Sequence, residues 1–243
     1  MEKETTIAVD LGNTLVKIAY FINSELGRVE KWSWSEFIQN EELINKLKNF
    51  QGICSSVLSE DQNMQLQDLL PKLVFMNENT KLPFKVDYKT PQTLGKDRLC
   101  NAVAGFYGAK NQNVLIIDVG TCIKYDFLSM DGTYHGGAIS PGIHLRYKSL
   151  NDYTAKLPLI DNTDEVQLIG KSTIEAIHSG VMNGMKAEII QIIEQYQCKY
   201  ESLTIFVTGG DAIYFDLHSK NNIFANKNLT LEGLFQIYLF NVQ

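Results

Sequence analysis

The 243-residue chain carries 44% apolar and 21% charged residues, ordinary globular usage that excludes a disordered chain. Its formal net charge of −6 argues against nucleic acid or an anionic membrane as the main partner, although an acidic surface can still hold a small basic pocket for phosphates. No apolar run approaches the ~18 residues that a membrane helix requires, and Met1–Glu4 lead straight into a strand-like Ile7-Ala8-Val9, so neither a secretory signal nor a membrane anchor is expected. The cysteines Cys54, Cys100, Cys122 and Cys198 stand far apart without a Cys-x-x-Cys pair, which suits neither a disulfide framework nor a zinc site and points to a reducing cytoplasm.

In chain order, residues 6–10, 15–21 and 27–34 read as short strands separated by Gly and Asn turns. Ser33-Trp34-Ser35-Glu36 has the form of a capping box, and Phe37, Ile38, Ile44 and Leu47 follow at helical spacing. A strand over 53–58, a helix over 64–70 stopped by Pro71, and a strand over 73–76 complete a first block. Leu99, Val103, Phe106 and Tyr107 then share one face of a further helix, which closes that block. A second block opens on 114–119, an apolar run broken only by Asp118, as in a buried central strand. Strands over 124–128 and 133–139 are joined by an Asp131-Gly132 hairpin turn. After an irregular segment, a helix from about 173 to 196 shows one apolar stripe (Ile174, Ile177, Val181, Met185, Ile189 and Ile192) that reads as core. A strand over 203–207 and a closing helix around Leu231, Leu234, Phe235, Tyr238 and Leu239 end the chain.

The two blocks share a local signature. Residues 10–17 read Asp-Leu-Gly-Asn-Thr-Leu-Val-Lys and 118–124 read Asp-Val-Gly-Thr-Cys-Ile-Lys; with one residue deleted, Asp, Gly, Thr and Lys align. This predicts an internal duplication with a boundary near residue 112, hence domains over 1–112 and 113–243. Such turns suit phosphates: glycine lets the backbone approach closely, turn amides and Thr or Asn side chains donate to phosphate oxygens, and a strand-end Asp can hold magnesium directly or through its waters. Asp-x-Gly after a strand is also a common way to build a tight turn, so one copy alone would say little. Gly170-Lys171-Ser172 imitates the end of a P-loop, but Glu165 stands where the first glycine would have to be, and no convincing strand precedes it.

Gly95-Lys96-Asp97-Arg98 places Asp97 and Arg98 in the first turn of the helix that carries Leu99 and Val103. Asp97 there either pairs with the helix dipole or accepts the proton of an attacking hydroxyl; Arg98 could bind a carboxylate or a phosphate. Spacing leaves both readings of Asp97 open.

Together these motifs resemble the type III pantothenate kinase family of the actin-like ATPase superfamily, over nearly the whole chain. Asp10–Lys17 resembles the family's first phosphate motif, Gly95–Arg98 its Gly-x-Asp-Arg motif with Tyr88 and Pro91 ahead of it, and Asp118–Thr121 its second phosphate motif. Gly136–Gly142, Gly170–Thr173 and the Thr208-Gly209-Gly210 turn match further family stretches in the same order. The resemblance implies two duplicated ribonuclease H-like (actin-like ATPase) domains of the α/β class, each a mixed sheet flanked by helices. It implies ATP-dependent phosphorylation of pantothenate, the first step toward coenzyme A. Asp97 would be the proton acceptor, with Tyr88, Gly95, Lys96, Asp97, Arg98 and Thr173 lining the pantothenate pocket. Asp10, Leu11, Gly12, Asn13, Thr14, Leu15, Val16 and Lys17, together with Thr121, would meet ATP and its Mg2+. Asp118 would hold a monovalent cation, K+ or NH4+, and a cytoplasmic homodimer is implied. The chain departs from the family after the second turn, where Cys122-Ile123-Lys124 replaces the usual small polar run. Lys124 either alters cation or phosphate contacts or is a solvated residue on an exposed strand face. Another small-molecule kinase of this fold, or an actin-like ATP-binding regulator, are the alternatives; the regulator would have no use for a hydroxyl-activating Asp.

Overall fold

The computed structural model describes residues 5–12, 15–161, 165–215 and 222–242. In chain order its elements are β1 (Thr5–Leu11), β2 (Val16–Ile22), β3 (Glu25–Trp32), α1 (Trp34–Gln39), α2 (Glu41–Leu47), β4 (Gln51–Ser56), α3 (Glu60–Leu69), β5 (Leu73–Phe75), β6 (Lys85–Val86), α4 (Lys96–Gly108), β7 (Asn113–Val119), β8 (Cys122–Ser129), β9 (Thr133–Pro141), α5 (Ile143–Asp152), α6 (Thr173–Lys199), β10 (Leu203–Thr208), β11 (Ile223–Ala225) and α7 (Leu229–Val242). They form two compact units, Met1–Gly108 with Asn228–Gln243, and Ala109–Lys227.

Each unit is built on the same strand plan. In the first, the order is β3-β2-β1-β4-β5, with β1, β2 and β3 antiparallel and β4 and β5 joined parallel to β1. In the second, β9, β8 and β7 repeat the antiparallel set while β10 and β11 repeat the parallel one. The duplication read from eight residues thus extends to ten strands. It includes a register irregularity in each outer hairpin, at Tyr20/Phe21 and at Phe127/Leu128.

Alternation of side chains decides which way the strand ends point. In the first sheet Ile7, Val9, Leu11, Val16, Ile18 and Tyr20 face the cluster built with α1, α2 and α3. Ala8, Ala19 and Phe21 face the opposite cluster, formed with α4 and α7, and Asp10 shares their parity. In the second sheet Leu115, Ile117, Val119, Ile123, Tyr125 and Phe127 pack with α6, which places Asp118 and Lys124 on the other face.

Two differences from the sequence reading change how the units are built. The single helix expected after Ser33 is two: Asn40 ends α1 and its Oδ1 accepts from Leu43 N at 3.0 Å to cap α2, while the Ser33–Glu36 capping box forms as expected. The domain boundary expected near 112 falls at Gly108/Ala109, and the closing helix belongs with the first unit. The reason is packing: α7 buries Leu231, Leu234, Phe235 and Ile237 in the cluster that holds Cys100 and Val103 of α4, and a Cβ on Gly233 would overlap the Cys100 carbonyl. Helix α5 was not anticipated; Ile143, Tyr147 and Leu150, at i, i+4 and i+7, are its apolar signal.

Candidate active site

In the first unit the strand-end motif is a hairpin. Gly12 N donates to Leu15 O at 3.1 Å, and the antiparallel register puts Lys17 directly opposite Asp10, with Nζ 3.6 Å from Oδ2. Leu11 and Val16 are buried beneath it, and Leu15 is half-buried. Asn13 and Thr14, expected at the phosphates, lie outside the described residues.

The second motif has the same form with a shorter turn. Gly120 N donates to Cys122 O at 3.1 Å, Thr121 is exposed, and Lys124 stands opposite Asp118 with Nζ 2.8 Å from Oδ2. The deletion needed to align the two sequences is therefore the shortening of this loop. Thr121 O accepts from Gly142 N at 3.0 Å, so Gly142, which follows β9 and caps α5, holds the turn in place.

Helix α4 carries the Gly-x-Asp-Arg motif at its N-terminus. Gly95 O accepts from Arg98 N at 3.1 Å and Leu99 N at 3.3 Å, and the Asp97 carboxylate folds back over Gly95, where an added Cβ would sit 2.5 Å from Oδ1. The helix N-terminus stabilises that negative charge. Arg98 is 5% exposed, and its guanidinium lies 5.8 Å from the centre of the Tyr88 ring, so the structure brings these two expected substrate residues together. Burial pushes the Cys100 thiol well up; the charges of Asp10 and then Asp97 push it further, opposed by Lys96.

Thr173 belongs to the second unit, exposed as the first residue of α6, whose N-cap Ser172 accepts from Glu175 N at 3.2 Å. Among the described residues no strand leads into Gly170-Lys171-Ser172, whereas a P-loop would follow one.

Beside the Thr208-Gly209-Gly210 turn is a cavity of about 120 Å³ whose lining includes Gly209, Ala212, Ile213, Phe215, Ala225 and Asn226. Gly209 has φ 98°, and a side chain there would run into the backbone of Val119, so only glycine joins β10 to this turn without strain. Burial raises the Asp211 carboxyl above its ordinary value, and His144 pulls it back. Of this cavity the sequence signalled only the Gly-Gly turn; Ala212, Ile213 and Asn226 carry no motif.

Paired sheets of this topology, with phosphate-type hairpins at corresponding strand ends, define the actin-like ATPase and sugar-kinase fold. Solved structures agree: a conserved Baf-family protein from Campylobacter jejuni superposes with TM-score 0.65 at 20% identity, covering 97% of this chain and 98% of that one. An inorganic polyphosphate/ATP-glucomannokinase from Arthrobacter superposes with TM-score 0.50 at 14% identity, covering 97% and 99%. The type III pantothenate kinase family model matches residues 6–195. Relatives with that name from Christiangramia forsetii and Phocaeicola vulgatus are 43% and 40% identical, each over 97% of this chain and 98% of their own. The chain belongs to the type III pantothenate kinase family.

The close fit of Asp97 over Gly95 gives a test. Gly95→Ala should displace the carboxylate while leaving the helix folded. It should lower kcat by roughly 10²-fold, the scale of an ångström-level misplacement, with little change in Tm. A kcat close to wild type would show that the position of the Asp97 carboxylate does not matter to turnover.

Proposed function

We propose that Asp97 is the proton acceptor in ATP-dependent phosphorylation of the primary hydroxyl of pantothenate, yielding 4'-phosphopantothenate for coenzyme A synthesis. The observation that carries this reading is the Asp97 carboxylate held at the start of α4, beside buried Arg98 and its Tyr88 contact, in the unit whose β1 ends in Asp10. Phosphoryl transfer asks for alignment and charge neutralisation more than for a strong base. A carboxylate stabilised by a helix N-terminus is a weak base, yet it can take a proton that leaves late, as the hydroxyl oxygen bonds to phosphorus. Arg98 and Tyr88 orient the acid end of the substrate, with Gly95 and Lys96 beside Arg98 at the same helix start.

Asp10, Leu11, Gly12, Asn13, Thr14, Leu15, Val16, Lys17 and Thr121 meet the ATP phosphates, and the apolar cavity beside Gly209 suits a purine ring. Magnesium fits at Asp10: magnesium keeps most of its waters and is usually held by one or two carboxylates plus phosphates, and the 3.6 Å separation from Lys17 is looser than a hydrogen bond. When bound it offsets the phosphate charge; Lys17 and the turn amides orient the phosphates. Asp118 anchors a monovalent positive charge beside Thr121. Its Oδ2 already accepts from Lys124, and no group of three or more His, Cys, Asp or Glu suited to a metal occurs among the described residues. An added K+ or NH4+ therefore fits Asp118 only by displacing that lysine, and no step is derived through it.

A homodimer is supported by apolar side chains around the start of α6: Leu168, Ile169 and Ile174 are exposed, near the exposed Gly180 and Gly184. Sedimentation of a monomer at micromolar concentration would remove it. No helix among the described residues is long and apolar enough to cross a membrane, and free cysteines at 54, 100, 122 and 198 suit a cytoplasmic enzyme.

Asp97→Asn tests the central role. ADP release that depends on pantothenate should be nearly abolished while ATP affinity stays within a few-fold of wild type, the pattern of a group that acts in the transition state. Substantial kinase activity in this variant would exclude Asp97 as the base.

A further inference from the structure

The two Asp–Lys pairs are equivalent in register but not in closeness. Lys17 lies 3.6 Å from Asp10 and is 40% exposed, whereas Lys124 lies 2.8 Å from Asp118 and is 23% exposed. Three features hold the second pair. Register sets Lys124 across from Asp118 on the face of the sheet away from α6. The turn between the two strands is one residue shorter than in the first motif and is closed by Gly120 N to Cys122 O. On its other side Asp118 is paired in register with Thr208, which is buried at 3%. A lysine ammonium carries the same single charge as K+ and the donor chemistry of NH4+. Its hydrogen bond to a carboxylate is charge-assisted and short, and a tethered group needs no ion from solution to keep its place.

We propose that Lys124 is a built-in monovalent cation: its ammonium, anchored on Asp118 beside the Thr121 turn, supplies the positive charge that the phosphates meet there, so the enzyme works without added K+ or NH4+. This rests on the kinase reading above. It makes Lys124 a charge-supplying residue of the nucleotide site and explains the departure at residues 122–124 from a small polar run. In a chain with a small residue at 124, Asp118 would have no ammonium from this strand, and a solution cation would be needed.

The test uses the full-length protein in tetramethylammonium chloride, with KCl or NH4Cl exchanged in at constant ionic strength. ADP release in the presence of pantothenate should be flat for the wild type across the exchange. Lys124→Ala should lose about tenfold or more without K+ and regain it with K+ or NH4+, whereas Lys124→Arg should stay insensitive to the ion. A wild-type rate that requires K+ overturns the proposal. Melting temperature in the same buffers reads the site without turnover, because an ion that binds only the folded protein stabilises it. Lys124→Ala should gain a rise in Tm specific to K+ that the wild type lacks; an equal rise in the wild type overturns the proposal. Should no pantothenate-dependent ADP form in any salt, the kinase reading fails, while the Tm comparison still decides whether the lysine or an ion fills the place at Asp118.

Discussion

A carboxylate at the end of a central strand, matched in register by a lysine on the next strand, is the constraint on which both halves of this protein depend. The pair itself is weak: cross-strand opposite charges contribute roughly 0.2–1 kcal/mol. What fixes it is the apolar alternation beneath. Ile117, Val119, Ile123 and Tyr125 are committed to the α6 side, so Asp118 and Lys124 must lie on the other. A slip of one residue would drive both charges into that core, which is far more costly than losing the ion pair. The hydrophobic pattern thus places the charges, and sets the Lys124 ammonium on Asp118 at the strand end that leads into the Gly120–Thr121 turn. The same logic holds Asp10 and Lys17 above Leu11 and Val16.

The Gly95–Arg98 motif lies outside that repeated frame. Helix α4 follows the first sheet and closes against α7. Its first turn presents a carboxylate folded over a glycine, next to a buried arginine. Under the proposed function Asp97 takes the proton, while Asp10 and Asp118 each lie beside a lysine. Under that same reading, duplication accounts for the nucleotide half of the reaction and α4 for the acceptor half.

Much of this was legible in the residues. The hairpin turns, the Ser33 capping box, α6 and the duplication follow from patterns spanning only a few positions, where local chemistry decides the outcome. The less legible parts depend on long-range packing. That α7 joins the first unit is set by the fit of Gly233 against Cys100, more than 100 positions away in sequence. The break at Asn40 was missed because Ile38 and Ile44 keep helical spacing across two short helices. Lys124 could be read as solvated or as functional until the register put its ammonium on Asp118; strand spacing gives the face of the sheet but not the partner.

Calorimetric titration of Mg-ATP into the protein, in buffer free of K+ and NH4+, tests the account most directly, comparing wild type with Lys17→Ala, Lys124→Ala and the double variant. If both lysines meet phosphate, each single change should weaken binding by about tenfold or more, as expected for hydrogen bonds to charged groups, and the double variant should be weaker than either. Affinity unchanged in Lys17→Ala and Lys124→Ala alike would mean that the Asp–Lys hairpins only shape turns, and the assignment of the nucleotide site to them would be wrong.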